Sequence, residues 1–368
     1  MAYVKPGNPK LIVDLNKLRH NIEYVKRMCA KDGVQIAGVI KGCTGLFPCV
    51  EQFERAGVQF IGSSRLEHLA ELKEQGVQAP LLMVRIPMIS EAEDVVRICE
   101  YSLNSELATL KTLNKHARTQ GKIHNVILMA DLGDLREGWW DKEEMTDVAE
   151  IVENELENLH LAGVGVNVGC YGSVLATTEK LQELVDVAEK IEARIGRELE
   201  IISGGATTSL MRIMDGNLPE RINMLRIGEG ILLAYDLPTL YGYDCSNMHQ
   251  DVFTLRAEVI EVKDKPSHPI GEIGFDAFGH RIQYEDRGIR KRALLGLGKV
   301  DYGDPAELLP RMQGIQILGA SSDHTILDIQ ALADQGKEIM VGDVLEFDLN
   351  YATMVYLTNS GNIDKVFI

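Results

Sequence analysis

A parallel (β/α)₈ barrel followed by a smaller all-β domain is the fold this sequence predicts, on three observations. From residue 11 to about 235, short apolar runs alternate with longer amphipathic ones. After about residue 236 helical periodicity fades, and strand-like runs bounded by turn signals take over. The length, 368 residues, suits one barrel with an addition.

The barrel elements follow in order. Strands are predicted at Gln35–Ile40, Val58–Gly62, Leu81–Arg85, Tyr101–Leu103, Asn125–Ala130, Leu161–Asn167, Leu199–Ser203 and Asn223–Gly228. Each is a short β-branched or aliphatic run, the pattern of a strand buried on both faces. Eight of them separated by helices favour a closed barrel over a doubly wound open sheet. Ser64 with Glu67 and Ser90 with Glu93 fit capping boxes at helix starts. Gly76, Gly121 and Gly196 stand where helices should stop, since glycine adopts a left-handed conformation at little cost.

In the second domain the runs are Phe253–Lys263, Arg292–Gly298, Ile315–Leu318, Thr325–Ile329 and Val344–Leu349. Lys265-Pro266-Ser267 and Asn359-Ser360-Gly361-Asn362 punctuate them. The predicted division is thus 11–235 for the barrel and 236–368 for the β domain, with residues 1–10 packing on the latter.

Composition excludes several classes of function. With 38 basic and 55 acidic residues the net charge is −17, which argues against a nucleic-acid binder and a membrane-surface protein. At 45% hydrophobic and 25% charged, the chain has ample material for a core. Six scattered cysteines without a C-x-x-C pair read as reduced thiols, and isolated histidines offer no metal spacing. No run approaches the roughly 18 apolar residues of a membrane span. The start, Met1-Ala2-Tyr3-Val4-Lys5-Pro6-Gly7, has no apolar leader, so a cytoplasmic location is expected.

In a barrel, chemistry sits at the C-terminal ends of the strands. Reading those ends gives Val39-Ile40-Lys41-Gly42, then Asp131-Leu132-Gly133-Asp134-Leu135-Arg136, then Asn167. Ser203-Gly204-Gly205-Ala206-Thr207-Thr208-Ser209 and Leu225-Arg226-Ile227-Gly228-Glu229 complete the set. Taken singly each has a bland explanation: a solvated strand end, a tight turn before a helix, an Arg226–Glu229 pair. Together they mean more. A glycine- and hydroxyl-rich loop leading into a helix suits a phosphate dianion. A lysine in low dielectric loses its charge readily and can form a Schiff base. Phosphate, aldehyde-reactive lysine and an arginine near a ring nitrogen are the requirements of pyridoxal phosphate. The glycines at 163, 165 and 169 lack the spacing of a dinucleotide site.

These motifs resemble the alanine racemase superfamily of barrel-type pyridoxal phosphate enzymes, and within it most closely the ornithine racemase branch. The resemblance is carried by Val39-Ile40-Lys41-Gly42, by D-L-G-D-L-R-E-G at 131–138, S-G-G at 203–205, L-R-I-G-E at 225–229, D-A-F-G at 276–279 and G-A-S-S-D-H at 319–324. It implies that Lys41 bonds the cofactor covalently and that Arg226 faces its ring nitrogen. Asn167, Ser203, Gly204, Gly205, Thr207, Gly228, Glu229 and Tyr351 are implied to surround the cofactor, with Thr207, Gly228, Glu229 and Tyr351 on its phosphate. Arg136, Ser322 and Asp323 are implied at the substrate. The assembly implied is a homodimer with active sites shared between subunits, the loop carrying Ser321 entering the partner's site.

The sequence also departs from that family. Gly45 stands where alanine racemases place a phosphate-binding tyrosine, Met129 where they carry a carbamylated lysine, and Asn167 where they have a histidine. Their catalytic tyrosine on the β domain has no clear counterpart; alignment puts Asp276 there, and Tyr284 is the nearest tyrosine, with His280 behind both.

The expected reaction is racemisation of an amino acid by two-base proton exchange at Cα, with Lys41 on one face and Asp276 or Tyr284 on the other. A guanidinium must donate, so Arg226 opposes protonation of a ring nitrogen, which suits proton exchange better than decarboxylation. Ornithine is the expected substrate, with lysine or a broader set including alanine as alternatives. Asp131, Asp134 and Asp323 are the suspected partners of a distal amine. A same-fold decarboxylase and a non-catalytic pyridoxal phosphate carrier are the rival functions. The β domain counts against the carrier, since such proteins resemble the barrel alone.

Overall fold

The computed structural model describes residue 7 and residues 9–368. Two compact units make up the chain: Lys17–His249, and the N-terminal segment up to Asn16 together with Gln250–Ile368.

The strands of the larger unit are β2 (Gln35–Val39), β3 (Phe60–Ser63), β4 (Leu81–Met83), β5 (Tyr101–Asn104), β6 (His124–Ala130), β7 (Leu159–Val166), β8 (Ile201–Ser203) and β9 (Met224–Ile227), following β1 (Lys10–Val13) of the other unit. All eight are parallel, and β9 pairs back onto β2 to close the barrel. All eight predicted barrel strands are present, with ends moved by two residues or fewer.

Why these segments form a barrel is visible inside it. Ala37, Phe60, Leu82, Leu103, Ile127, Met129, Ala162, Ile201 and Met224 make one buried cluster to which every barrel strand contributes. Alternation along each strand sends these side chains inward, while their neighbours meet the surrounding helices. The β9–β2 closure sets Ala37 beside Arg226 and Gly38 beside Ile227, so the chain leaving β2 toward Lys41 runs next to the chain leaving β9 toward Gly228.

The second unit holds β1, β10 (Phe253–Pro266), β11 (Ile289–Leu295), β12 (Leu309–Pro310), β13 (Gln316–Ala320), β14 (Thr325–Asp328), β15 (Val344–Asp348) and β16 (Asp364–Phe367). Its path runs β12-β15-β10-β11-β14-β13 through antiparallel pairs, while β1 lies antiparallel to β10 and parallel to β16. β10 is long enough to serve two neighbourhoods. Its first half pairs with β1 and β15, and an irregularity between Val259 and Glu261 redirects it onto β11.

Three differences from the sequence reading have physical causes. Leu11–Val13 belongs with the β domain rather than the barrel, because Leu11 and Val13 are buried there against β10 and β16. The helix Asp236–Tyr241 stays with the barrel unit, so the division falls after His249 and not at 235. Of residues 1–10, expected to pack on the β domain, 1–6 and 8 lie outside the described residues, and Lys10 opens β1. The β domain is also not purely β: Tyr351–Asn359 is a helix, started by Asn350, whose Oδ1 accepts the Thr353 amide at 3.0 Å.

Neither capping box forms. Ser63 rather than Ser64 takes the Arg65 amide, at 3.2 Å, and Glu91 rather than Glu93 takes the Met88 amide, at 2.9 Å. The glycine stops hold, with positive φ at Gly76, Gly121 and Gly196.

The β7–β8 contact is close enough to be tested directly. A Cβ on Gly163 would stand 1.9 Å from the Ile201 carbonyl oxygen of the neighbouring strand. Gly163→Ala is therefore expected to destabilise the barrel by at least about 1–3 kcal/mol, read as a lower urea midpoint.

Candidate active site

Lys41 opens the turn that follows β2. The Ile40 amide is fixed to the Gly62 carbonyl at 2.9 Å and the Gly45 amide to the Ile40 carbonyl at 3.1 Å, so the chain curls tightly around the lysine before the helix Phe47–Arg55 begins. Lys41 is half-buried. Burial first, and then the Arg136 guanidinium, push its amine below the ordinary lysine range, with Arg226 acting the same way; Cys170 and Glu137 work against the shift.

Beside it lies a pocket of unengaged amides. Among the described residues, no hydrogen-bond acceptor meets the backbone N–H of Ala206, Thr207, Gly228 or Glu229. Thr207 Oγ1 accepts the Gly230 amide at 3.0 Å, which ties the loop after β8 to the turn after β9. Ser209 Oγ donates to the Gly204 carbonyl at 2.6 Å and secures the base of the same loop. The Thr208 hydroxyl is buried without a partner. A buried hydroxyl is seldom left unpaired. Loose amides and an orphaned hydroxyl are what an oxyanion such as phosphate engages.

Arg226, the third residue of β9, is buried with 4% of its surface exposed. Its Nη1 donates to Ser203 Oγ at 2.5 Å, and its Nη2 to the Val166 carbonyl at 2.6 Å and to Asn167 Oδ1 at 2.7 Å. Those bonds use three of the five N–H groups of a guanidinium, leaving Nε and one Nη1 proton. Burial pushes its pKa down to about 10, so it stays charged at neutral pH. Arg226 does not pair with Glu229, whose Oε1 instead takes the Tyr235 and Asp236 amides at 2.8 and 3.0 Å.

Across the mouth, Glu137 accepts from Arg136 through Nε and, at 2.6 Å, through Nη2. Its Oε1 also accepts from Asn167 Nδ2. The sequence reading assigned Glu137 no role. It links Arg136 to Asn167 and, through Asn167, to Arg226. The segment that carries it folds back onto β6, the Trp139 amide donating to the Met129 carbonyl at 2.9 Å and the Asp131 amide to the Trp139 carbonyl at 3.1 Å. Gly138, at φ +126°, permits this return, because a Cβ there would sit 2.4 Å from the Asp131 nitrogen.

Two suspected partners for a distal amine are otherwise occupied. Asp131 Oδ1 takes the amides of Gly133 and Leu135. Asp134 is buried and gathers the amides of Gly169, Cys170, Tyr171 and Val174; burial raises its carboxyl pKa, but the bonds from Tyr171, Val174, Gly172 and Cys170 outweigh it and hold the group below the usual carboxylate range. Both carboxylates shape the loops of the mouth.

With this geometry in view, comparisons with known proteins are decisive. Residues 13–236 match the model of the alanine racemase N-terminal domain. An ornithine racemase of Acetoanaerobium sticklandii is 42% identical over 97% of this chain and 99% of its own length. The chain belongs to the alanine racemase family. A lysine racemase of Thermotoga maritima is 36% identical, covering 98% of each chain. Among solved structures, alanine racemase from Streptomyces lavendulae shares the fold with a TM-score of 0.77 at 16% identity, over 99% of this chain and 98% of that one.

The departures from the alanine racemase pattern have structural counterparts. Gly45 has φ +68°, and a Cβ there would meet the His68 Cβ at 3.0 Å, so any side chain at this place is strained and crowded. Met129 points into the barrel core. Asn167 serves as a two-ended connector between Arg226 and Glu137.

The remaining predicted residues lie in the second unit. Asp276 Oδ1 takes the Phe278 and His280 amides at 2.9 and 2.7 Å, and those bonds, the His280 one first, hold it below the ordinary carboxylate range. His280 Nδ1 lies 3.5 Å from Asp276 Oδ2. Tyr284 is 42% exposed, sits edge-on to His268, and lines a cavity of about 450 Å³ together with Asp276, Phe278 and Ser321. Ser322 Oγ donates to Asp323 Oδ2 at 2.5 Å. Tyr351 is the first residue of its helix.

Glu229 gives this site a pH signature. Its carboxyl is buried, its Oε2 has no partner, and burial, with help from Asp236, raises its pKa to about 7. A raised carboxyl pKa means the folded state holds the proton more tightly than the unfolded chain. The contribution is full below about pH 4.5 and is lost as pH rises through about 7. Glu229→Gln should remove a pH-dependent loss on the order of 3 kcal/mol over that window, measured as the difference between wild-type and variant denaturant midpoints.

Proposed function

We propose that this amino-acid racemase interconverts the L and D forms of a basic amino acid, ornithine first, using pyridoxal phosphate. The observation that carries this reading is a lysine amine depressed by burial and by Arg136, at the rim shared with the amide pocket and Arg226. The residues present fit the cofactor. The amides of Ala206, Thr207, Gly228 and Glu229 and the orphaned Thr208 hydroxyl would hold its phosphate, and the free Arg226 donors its ring nitrogen. Bound there, the cofactor supplies an aldehyde for the amino group and a conjugated ring that acidifies the Cα proton.

The chain's own groups do the rest. Lys41, with its amine kept low by its surroundings, takes or returns the Cα proton on one face. Arg136 orients the α-carboxylate, which keeps Cα in line with that amine. Tyr284 is the better second acid and base. Both line the same cavity, but Asp276 is committed to two backbone amides as a stabilised anion, which makes it a weak base. Asp131 and Asp134 organise the loops of the mouth, and Asp323, whose Oδ2 accepts the Ser322 hydroxyl, is the acidic partner we assign to a distal ammonium. Racemases named for ornithine and for lysine are the curated relatives at 42% and 36% identity, which favours that substrate class. We read the working form as a cytoplasmic homodimer with shared sites, as the family resemblance implies.

The test is incubation with L-ornithine, L-lysine and L-alanine in D₂O, following Cα deuterium and optical rotation. Both should change fastest with ornithine, and Lys41→Ala should abolish both. Carbon dioxide release without inversion would overturn the racemase reading, and bound cofactor without deuterium exchange would favour a carrier. Tyr284→Phe should cost at least about 10²-fold and affect the two directions unequally in isotope exchange, while Asp276→Asn should not. Asp323→Asn should raise KM for ornithine by roughly 10–100-fold, the worth of a hydrogen bond to a charged group, and leave alanine unchanged.

A further inference from the structure

We propose that Glu137 is a positioning residue that sets the guanidinium of Arg136 and, through Asn167, that of Arg226, and so aligns the two cations that neighbour Lys41. The inference rests on the reading of Lys41, Arg136 and Arg226 given above, and adds to it a carboxylate that contacts none of the reacting atoms.

The geometry supports this in three ways. First, Glu137 meets Arg136 as a fork, through Nε and Nη2 together. A bidentate carboxylate fixes the plane of a guanidinium as well as its location, which a single bond does not do. Second, Glu137 Oε1 also receives the Asn167 amide, and the other end of that amide, Oδ1, receives Arg226 Nη2 at 2.7 Å. An amide donates from nitrogen and accepts at oxygen, so this arrangement also orients Asn167. Rotation of Arg136 about its own stem therefore disturbs Asn167 and then Arg226. Third, Glu137 is itself well held: its side chain is 17% exposed, on a segment locked back onto β6.

The charged groups that act on Lys41 from the surrounding elements are Arg136 and Arg226, which disfavour its protonated form, and Glu137, which favours it; the Cys170 thiol is the other titratable neighbour. Glu137 is the carboxylate of that set. Its loss should free Arg136 to swing and should also remove the anion that moderates the lysine. A shorter carboxylate separates the two effects, because it keeps the charge but cannot span Arg136 and Asn167 together.

The test compares Glu137→Gln and Glu137→Asp in the holoenzyme for kcat and KM, and in the cofactor-free protein for the Lys41 amine. The amine is titrated by the pH dependence of its acetylation, read by mass spectrometry. Glu137→Gln should lower kcat by about 100-fold, the usual loss from a small misplacement, with KM moving less than about threefold, and should shift the Lys41 midpoint downward. Glu137→Asp should lose kcat similarly while its Lys41 midpoint stays at the wild-type value. A folded variant with wild-type kcat, or an unmoved Lys41 midpoint in Glu137→Gln, overturns the proposal. Should Glu137→Gln melt below the assay temperature, Glu137→Asp decides alone, wild-type kcat overturning the proposal and a selective kcat loss supporting it. Wild-type protein that racemises nothing would instead overturn the functional reading, and the Lys41 midpoints would still report on Glu137.

Discussion

A guanidinium buried at the mouth of the barrel is the constraint on which the rest of the site depends. Taking a charge out of water costs several kcal/mol even after the protein relaxes, so Arg226 persists only where acceptors converge on it. They come from Ser203 at the end of β8, the Val166 carbonyl at the end of β7, and Asn167 just beyond. Satisfying one residue of β9 thus fixes the ends of three neighbouring strands relative to one another. Gly165 keeps this corner open, since a Cβ there would stand 3.1 Å from Met129 Sδ and 3.3 Å from the Cβ of Ser203, the residue that Arg226 engages. The loops that follow those strands carry Thr207, Thr208 and Gly228, so the amide pocket inherits its position from the same bonds.

The charge pattern that results is opposite to that of the whole molecule. The protein carries −17, yet its barrel mouth gathers Lys41, Arg136 and Arg226 against Glu137, with Asp131 and Asp134 turned onto backbone amides. Such a pocket is prepared for anions, a phosphate and an α-carboxylate in the proposed chemistry. Burial, and then repulsion from Arg136 and Arg226, depress the amine of Lys41, which suits the proton transfer proposed for it.

Much of this was legible in the sequence, for physical reasons. Buried parallel strands are continuous apolar runs, so all eight barrel strands and their chemically rich ends could be read directly. β1, β12 and β16 could not, because partners remote in sequence make them: β1 exists through β10 and β16. Glu137 was hidden differently. Beside Arg136 in sequence it reads as a solvated charge pair, and only the return of the chain onto β6 brings it to Asn167. Thr208 was concealed by Thr207, its neighbour with the same chemistry; being unpaired is a property of space, not of sequence. Asp131 and Asp134 show the converse, since a carboxylate that organises a loop has the same letter as one that binds a substrate.

If the buried guanidinium governs the site, its mark should be on the cofactor itself. The direct measurement is the ¹⁵N chemical shift of the ring nitrogen of labelled pyridoxal phosphate bound to the protein. The account predicts an unprotonated nitrogen that accepts a hydrogen bond from Arg226, unchanged across the neutral pH range. A protonated ring nitrogen, with a pyridinium shift, would contradict it.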